Sequence, residues 1–475
     1  MKPISAFQVV VVHTLVLFTS LQGDDLGWHQ WRGPNANGVS PDGNPPVRWS
    51  EGENVSWKVP IEGRGSSTPI VAGGKVFVLT TIETGAKDES IPDPGDQPKT
   101  NFFDIKRPNR EHAYVVICLD RKSGAELWRK TAFTRVPHEG VHNDNDFASA
   151  SPVTDGTFLY AWFGSAGLAC FDLQGKRVWE RSLGDVRVES SLGEGCSPVL
   201  HENRLVVLRD NAGQSSIHVL NAGNGKTIWS RKRDEKTAWA TPVVTRFQGK
   251  TQVITAASRM IRSYDMDSGD ILWQCGGLTG NVIPCPVVLD GHVICMSGYQ
   301  GYRAMSIPLG LQGDITGHEK IRWSLDRGTP YIPSPILYDN LLLFNQSNQG
   351  VLTGVEASSG KTVLPRSRLP GISNLYASPV GAAGRVYFAG RRGVCLVVDL
   401  ESAREPGQPL RILSTNRLDD QFNASPALAG SQLFLRGRKF LYCLAESGEH
   451  GEKDNPDVPI KRKSGESAAI TGSGE

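Results

Sequence analysis

The sequence predicts an all-β fold, an eight-bladed β-propeller of four-stranded antiparallel blades that is closed by the N-terminal strand. Three observations lead to this prediction. A small residue followed by proline recurs eight times, apolar and polar residues alternate with the period of two that strands require, and several repeats end in tryptophan. Repeats of roughly 45 residues with no helical segment are typical of propeller blades.

The small-residue–proline pair marks the inner strand of each blade. From the second copy onward the prolines follow at intervals of 44 to 49 residues, whereas the first interval is 83 residues and must contain an insertion. Proline suits an edge strand because its missing N–H has no ladder partner there, and small neighbours suit a crowded axis. The eight pairs are Thr68-Pro69, Ser151-Pro152, Ser197-Pro198, Thr241-Pro242, Cys285-Pro286, Ser334-Pro335, Ser378-Pro379 and Ser425-Pro426.

The outer strand of a blade is predicted to end in tryptophan. Residues 253–273, VITAASRMIRSYDMDSGDILW, contain an alternating strand, an aspartate-glycine turn and a strand that ends in Trp273. Similar segments end in Trp128, Trp179 and Trp229. A large ring on the outermost strand can pack between neighbouring blades, so we expect these tryptophans to be structural.

Closure of the ring follows from the two ends of the repeat array. Trp57 resembles an outer-strand tryptophan without preceding strands, and the last repeat has three strands without an outer one. The N-terminal segment should therefore complete the last blade and remove its open edge. The predicted organisation is a signal peptide (1–23), a lead-in segment (24–56), the propeller (57–446) and a polar, disordered tail (447–475).

Export is predicted from the N-terminus. The apolar stretch from Ala6 to Phe18 is short for a membrane span but has the length of a signal-peptide core, and a retained anchor helix is the alternative. The first cysteine is Cys118, so none follows the signal to carry a lipid. The formal net charge of +2 gives no reason to expect nucleic acid or an anionic membrane. We expect a soluble monomer, periplasmic or secreted.

The eight cysteines are predicted to be mainly buried free thiols. Cys118, Cys170, Cys395 and Cys443 occupy similar places in different repeats, too far apart to bridge. An exported chain nevertheless permits disulfides. Cys275, Cys285 and Cys295 are the candidates for a pair because they are close in sequence.

The repeat also carries a family resemblance. The spacing D-x-x-x-G-x-x-x-W, from Asp120 to Trp128 and from Asp265 to Trp273, resembles the pyrroloquinoline quinone (PQQ) repeat. Proteins with this repeat include quinoprotein alcohol dehydrogenases and BamB, a propeller lipoprotein of outer-membrane protein assembly. WHQWRGPNANGVS (residues 28–40) resembles exported PQQ-like propeller proteins abundant in planctomycete-type bacteria.

That resemblance implies two different activities, and the sequence departs from both patterns. Quinoprotein dehydrogenases use PQQ and calcium beside a vicinal cysteine pair, and this chain has no adjacent cysteines. BamB is anchored through an N-terminal lipid, which this chain cannot accept. The repeat therefore predicts the fold more strongly than the function.

A binding site is predicted at the mouth of the funnel. HEGVHNDND (residues 138–146) lies in an enlarged loop between two blades, and the insertion of the first blade, roughly from Thr81 to His112, should rise on the same face. Two oversized loops over one mouth are typical of a binding site.

This segment, residues 138–146, is called the acidic loop below, and it is not predicted to be a metal centre. Asp144 and Asp146 offer oxygen ligands suited to calcium, but the glycine and the glutamate of an EF-hand loop are missing. His138 and His142 have helical spacing, yet Pro137 and Gly140 disfavour a helix. Asn and Asp in such runs commonly satisfy the backbone of turns.

The candidate ligand-binding residues lie in this loop or shortly before an inner strand. The resemblance implies that Trp239 stacks against a planar cofactor; packing at the rim is the alternative. The full set is Arg64, His142, Asp144, Asp146, Glu194, Trp239, Asn281, Tyr331 and Asp420.

Two functions follow. The first is a non-catalytic binding or scaffold module for a protein, peptide or glycan at the funnel face. The alternative is a PQQ- and calcium-dependent dehydrogenase whose base is an aspartate such as Asp144, Asp146 or Asp420. No catalytic residue can be assigned from spacing alone.

Overall fold

Eight sheets surround a central axis in the computed structural model, which describes residues 27–99, 102–405 and 407–446. Those ranges contain strands, turns and four single-turn 3₁₀ helices, with no α-helix. The predicted all-β, eight-bladed propeller is confirmed. The predicted signal peptide and tail lie outside the described residues.

Blades 1 to 4 follow the chain, each from its inner to its outer strand. Blade 1 consists of β2 (Ile70–Ala72), β3 (Lys75–Lys87), β4 (Arg110–Asp120) and β5 (Glu126–Arg135). Blade 2 consists of β6 (Val153–Thr154), β7 (Phe158–Trp162), β8 (Leu168–Asp172) and β9 (Arg177–Arg181). Blade 3 consists of β10 (Val199–His201), β11 (Arg204–Arg209), β12 (Ser215–Asn221) and β13 (Thr227–Arg233). Blade 4 consists of β14 (Val243–Phe247), β15 (Lys250–Thr255), β16 (Ile261–Asp265) and β17 (Ile271–Cys275), to which the short β21 (Gly313–Asp314) adds in parallel.

Blades 5 to 8 continue in the same order. Blade 5 consists of β18 (Val287–Leu289), β19 (His292–Ser297), β20 (Arg303–Pro308) and β22 (Trp323–Leu325). Blade 6 consists of β23 (Ile336–Tyr338), β24 (Leu341–Asn345), β25 (Val351–Glu356) and β26 (Thr362–Arg368). Blade 7 consists of β27 (Val380–Ala382), β28 (Arg385–Ala389), β29 (Val394–Asp399) and β30 (Ile412–Arg417). Blade 8 consists of β31 (Ala427–Ala429), β32 (Gln432–Arg436), β33 (Phe440–Leu444) and β1 (Val55–Pro60). The 3₁₀ turns are Pro94–Asp96, Gly164–Ala166, Glu189–Ser191 and Glu401–Ala403.

The ring is closed by the N-terminal strand, as predicted. β1 pairs antiparallel with β33, with Trp57 opposite Cys443 and Pro60 opposite Phe440. Blade 8 therefore obtains three strands from the end of the array and its outermost strand from the beginning. This exchange holds the first and last blades together and covers the edge of β33.

A ring of hydroxyl groups explains the small-residue–proline pairs. In six blades the backbone N–H before the proline donates to the hydroxyl of the corresponding residue in the next blade. Buried N–H groups need such partners. The recurring Ser and Thr therefore accept backbone hydrogen bonds in addition to fitting the crowded axis. The bonds run from Thr68 N to Ser151 Oγ (2.9 Å), Ser151 N to Ser197 Oγ (2.9 Å), Ser197 N to Thr241 Oγ1 (3.0 Å), Cys285 N to Ser334 Oγ (3.0 Å), Ser334 N to Ser378 Oγ (2.9 Å) and Ser378 N to Ser425 Oγ (2.8 Å).

The outer tryptophans dock on the turn glycine of the next blade. Trp179 donates its indole N–H to Ala222 O (2.9 Å), and a Cβ on Gly225 would lie 2.7 Å from the same ring. The D-x-x-x-G-x-x-x-W spacing therefore describes an inter-blade joint, with the glycine on one blade and the tryptophan on its neighbour. Other indole N–H groups that bond to the next blade are those of Trp57, Trp128, Trp229 and Trp323.

The segment before β1 closes the far end of the axis. Trp28 pairs with Val71, Thr154 N donates to His29 O (3.0 Å), and Val39 bridges to Gly381. These partners belong to the inner strands β2, β6 and β27. The predicted lead-in is thus an N-terminal plug, residues 27–49, that supplies partners to inner-strand edges.

Arg32 anchors this plug. Its guanidinium is buried and donates to Pro379 O (2.7 Å) and Pro335 O (2.9 Å). Burial lowers the pKa of Arg32 to about 10. Gly38 is required beside it, because a Cβ there would lie 2.1 Å from the Arg32 side chain.

All eight cysteines are free, and every one except Cys196 is buried. Cys275, Cys285 and Cys295, which were the candidates for a local pair, are not bridged. Burial raises the pKa of thiols such as Cys118 to about 12. Among the described residues, no helix is long and apolar enough to cross a membrane.

Candidate functional site

A cup of about 820 Å³ opens on the face where the inter-blade loops lie. Trp31 lies at its floor, where the indole N–H donates to Cys285 Sγ (3.0 Å). Trp31 also lines a small cavity near Arg32 and Pro286. The N-terminal plug therefore converts an open axial channel into a cup with a floor.

Two enlarged loops form one side of the rim, as the sequence predicted. Arg107 Nε donates to Pro137 O (3.0 Å), and the ring of Phe103 lies 5.4 Å from that of His142. Part of the insertion is regular, because β3 and β4 extend into a long hairpin before the chain leaves the sheet at Lys87.

The structure divides the predicted site residues into two groups. His142, Asp144, Trp239, Asn281 and Tyr331 line the cup. The remaining four, Arg64, Asp146, Glu194 and Asp420, lie in the surrounding loops and are engaged in hydrogen bonds.

These four residues hold loop backbone in place. Arg64 donates to the carbonyls of Asn143 (2.9 Å) and Asn145 (3.0 Å) and so fixes the acidic loop. The Asp146 carboxylate accepts bonds from Ser66 Oγ (2.6 Å) and Ala148 N (2.9 Å). Glu194 accepts the Ser165 N–H (2.7 Å), and Asp420 accepts the N–H groups of residues 438–440.

Asp144 is the centre of a network that spans the cup. Its carboxylate forms an ion pair with Arg391 (2.6 Å) and accepts a hydrogen bond from the Tyr376 hydroxyl (3.0 Å). Arg391 lies over the Tyr376 ring, 4.0 Å from its centroid, and donates to Asn423 Oδ1 (3.0 Å). Asn423 in turn donates to Asp144 O (3.2 Å).

This network sets the charge state of its members. Burial alone would raise the pKa of Asp144, but the hydrogen bonds from Arg391 and Tyr376 keep that pKa below its usual value. Burial raises the pKa of Tyr376 to about 12. Near neutral pH the network is therefore a carboxylate paired with a guanidinium and a neutral phenol.

Aromatic faces line the other walls of the cup. Trp239 donates its indole N–H to Gly193 O (2.7 Å), which fixes the ring. Tyr299 and Tyr331 stack with their centroids 4.8 Å apart. These rings, together with Phe103 and the hydroxyls at the axis, make the lining partly apolar and partly hydrogen-bonding.

A second, smaller pocket beside the cup is lined by two half-buried carboxyl groups, those of Glu139 and Glu194. Burial raises the pKa of Glu139 to about 7, and burial also raises the pKa of Glu194. Glu139 accepts the N–H of Val188 (3.2 Å) and thereby ties the acidic loop to the segment that carries Glu189.

A calcium site does not fit these donors. Calcium takes six to eight oxygen ligands, and the described residues contain no group of three or more His, Cys, Asp or Glu side chains placed to hold a metal. Asp144 is paired with Arg391, while Asp146 and Asp420 accept local hydrogen bonds. The carboxylates suggested by the sequence are thus already engaged by protein groups.

Sequence reasoning missed Trp31, Tyr376 and Arg391. A register rule would have found Tyr376, because the residue two positions before each small residue of the small-residue–proline pairs lines the cup. Arg391 carries no such signal, since it lies in the turn between β28 and β29. The eight residues in this register are Ser66, Ser149, Gly195, Trp239, Ile283, Ile332, Tyr376 and Asn423.

The fold agrees with a family assignment. A family model described as the outer membrane protein assembly factor BamB matches residues 112–324 and 215–449. The chain belongs to the BamB family. No curated protein sequence matches the chain.

Solved structures similar to this BamB-family chain include a BamB and two quinohemoprotein alcohol dehydrogenases. BamB from Moraxella catarrhalis is 13% identical with a TM-score of 0.50, covering 79% of this chain and 100% of that one. Quinohemoprotein alcohol dehydrogenase from Comamonas testosteroni is 10% identical with a TM-score of 0.57, covering 92% and 83%. Quinohemoprotein alcohol dehydrogenase ADHIIG from Pseudomonas putida is 10% identical with a TM-score of 0.52, covering 91% and 82%. At these identities the likeness shows a PQQ-like propeller fold, and the site residues must be argued from this chain.

Proposed function

We propose that this BamB-family protein is an exported, non-catalytic binding module that takes part of a protein, peptide or glycan into its cup. One observation carries the proposal. The cup has a floor, aromatic walls and hydroxyl groups, while its central carboxylate, Asp144, is paired with Arg391. This combination favours ligand binding over proton transfer.

The size and lining of the cup fit a ligand site. A volume of about 820 Å³ lies within the usual range for sites that enclose small ligands or the end of a larger one. Aromatic faces supply apolar contact area at low entropic cost, and the hydroxyl and amide groups of Thr279 and Asn281 supply directional bonds.

A catalytic role would require a carboxylate free to accept a proton. Asp144 is held ionised by an arginine, which makes it a weak base. Asp146 and Asp420 each accept local hydrogen bonds that shape a loop. None of the three aspartates considered from sequence is therefore well placed as a general base.

A PQQ- and calcium-dependent dehydrogenase is the second candidate. The likeness to quinohemoprotein dehydrogenases and the fixed indole of Trp239 favour it. The engaged carboxylates oppose it, because the cofactor's metal would have to displace Arg391 or the backbone donors of Asp420.

The test compares ligand classes on the full chain by calorimetry. Peptide and oligosaccharide panels and PQQ, with and without calcium, are titrated into the wild type, Trp239→Ala, Tyr376→Ala and Ile228→Ala. Ile228 is the matched control because it is exposed on the outer strand β13, away from the cup. We expect a peptide or oligosaccharide to bind without calcium. Its affinity should fall about tenfold in Trp239→Ala, as loss of an aromatic contact implies, and stay unchanged in Ile228→Ala.

Two outcomes would contradict the proposal. Saturable PQQ binding that needs calcium and is lost in Trp239→Ala would favour the PQQ- and calcium-dependent dehydrogenase over the binding module. Binding of a peptide or glycan that is insensitive to both Trp239→Ala and Tyr376→Ala would place the ligand outside the cup.

A further inference from the structure

One wall of the cup, formed by blade 4 and the loops at its upper end, carries two cations. We define the blade-4 wall as Lys236, Trp239, Ser258 and Arg259, all of which line the cup. Lys236 and Trp239 lie in the loop that leads into β14, and Ser258 and Arg259 lie in the loop between β15 and β16. Of these four residues, only Trp239 was predicted from the sequence.

A buried carboxylate clamps these two loops together. Glu235, whose side chain has no exposed surface, accepts the N–H groups of Arg259 (3.0 Å) and Met260 (3.1 Å). It also forms an ion pair with Arg262. The backbone positions of Lys236 and Arg259 are thereby fixed relative to each other. Glu235, the acidic residue next to Lys236 in sequence, is already paired with Arg262.

The cationic groups of this wall are only weakly neutralised, because Asp234, which interacts electrostatically with Arg259, is itself paired with Arg262. Across the described part of the chain, the side chains of Lys236 and Arg259 form no ion pair, and both residues are exposed to the cup. Asp144 is neutralised by Arg391, which leaves Glu189 as the other carboxylate among the residues lining the cup. The wall therefore offers excess positive charge to a ligand in the cup.

The remaining groups suit a sugar ring. The indole N–H of Trp239 is already bonded to Gly193 O, so the ring offers its face, against which the C–H groups of a sugar can stack. Thr279, Asn281 and Gln300 lie on neighbouring loops and can bond to hydroxyls. A peptide bound as an added strand would need a free strand edge, whereas inner-strand edges here are used by the N-terminal plug and the hydroxyl ring.

We propose that the blade-4 wall binds the anionic group of an acidic saccharide, a carboxylate or sulfate, against Lys236 and Arg259, while the sugar ring stacks on Trp239. This inference rests on the proposed function and specifies its ligand class. Charge-assisted hydrogen bonds from two cations are strong enough to select an acidic sugar over its neutral counterpart.

The experiment titrates the full chain with three oligosaccharides of equal length: an oligogalacturonate, its methyl-esterified neutral form and a sulfated galactan fragment. The variants are Lys236→Gln and Arg259→Gln. The control is Lys250→Gln, an exposed cation at the opposite end of blade 4. Thermal unfolding of each variant verifies that it is folded.

We expect at least one acidic oligosaccharide to bind tighter than the neutral form. That affinity should fall about tenfold in each cup variant, as expected for one lost charge-assisted bond, and weaken with added salt, while Lys250→Gln has no effect. Preference between the uronate and the sulfate identifies the anionic group. The single-site Gln changes leave the hydrogen bonds of Glu235 to the backbone in place.

Each contrary result separates this inference from the proposed function. Equal binding of the neutral form, or binding unaffected by both cup variants, overturns the acidic-saccharide inference while leaving a binding module. A peptide that binds and depends on Trp239, with no saccharide binding, does the same. If no ligand of any class depends on Trp239 or Tyr376, both proposals are wrong.

Discussion

Arg391 Nη2 lies 2.6 Å from Asp144 Oδ1, and this pair joins the loop before blade 2 to the turn between β28 and β29 of blade 7 across the cup. Arg391 also covers the Tyr376 ring and bonds to Asn423. The pair thus holds the acidic loop at a defined height over the ligand site. It also gives that loop a structural purpose that its composition did not reveal.

Arg391→Ala should release the acidic loop. Because both partners are partly exposed, we expect a loss of only about 1 kcal/mol in the free energy of unfolding, measured by urea denaturation, but a clear loss of ligand affinity. Arg392→Ala is the matched control, since Arg392 is the exposed neighbour in the same turn. Equal effects of the two variants on ligand affinity would show that the pair does not organise the cup.

Glu139→Gln should stabilise the protein in a pH-dependent way. Burial raises the pKa of Glu139 to about 7 from an ordinary value near 4.5, so between these values the folded state binds more protons than the unfolded state. Stability is therefore lost as pH rises through this window. Glutamine keeps an oxygen for the Val188 N–H but never ionises.

The gain in unfolding free energy from Glu139→Gln should consequently be larger at pH 8 than at pH 5, by about 2 kcal/mol. Urea unfolding at both pH values measures it. Glu89→Gln, at an exposed carboxyl, serves as the control. A gain that is the same at pH 5 and pH 8 would mean that Glu139 ionises normally in the folded protein.

Arg32→Ala should loosen the N-terminal plug. It removes the donors for Pro335 O and Pro379 O and leaves a cavity at the axis, so we expect a loss of about 2–4 kcal/mol. Thermal unfolding should show a lower Tm. Arg48→Ala, at an exposed arginine later in the same segment, should change the Tm little. A small effect of Arg32→Ala would mean that the plug is held mainly by its backbone bonds.

The inter-blade joint can be tested at two glycines with nearly the same backbone angle. Gly225 (φ +68°) lies against Trp179, whereas Gly384 (φ +69°) has open space where a Cβ would be. Gly384→Ala should cost about 1 kcal/mol from the left-handed backbone alone. Gly225→Ala must also displace the indole and should cost about 1–3 kcal/mol more.

Comparing the two variants by urea denaturation isolates the packing contribution, because the backbone cost is common to both. If the two alanine variants are equally stable, the tryptophan has room to move and the joint is not tightly packed.

The fold was predictable because its determinants repeat along the chain. The small-residue–proline pairs recur once per blade and outer-strand tryptophans such as Trp179 recur in blades 1 to 5 and in blade 8, so a local preference that is weak in one copy becomes decisive when it is repeated. Closure by β1 was predictable for the same reason, because Trp57 matches the outer-strand tryptophan of the repeat but is not preceded by the other three strands of a blade.

The site was only partly predictable. Trp239 was predicted because it lies shortly before an inner strand. Tyr376 lies in the same register, but it stands out only when this position is compared across all eight blades. Arg391 could not be found from sequence, because its role depends on Asp144, a residue 247 positions away.

By itself the sequence determined the number of blades, their order and the closure of the ring, since these follow from local periodicity and from the count of repeats. The tertiary structure alone decided that Trp31 of the N-terminal plug forms the floor, that Asp144 is paired, and that Lys236 and Arg259 share a wall. The physical reason is that a propeller brings the loops of all eight blades to one axis. The contacts made there join residues far apart in the chain, which no local pattern encodes.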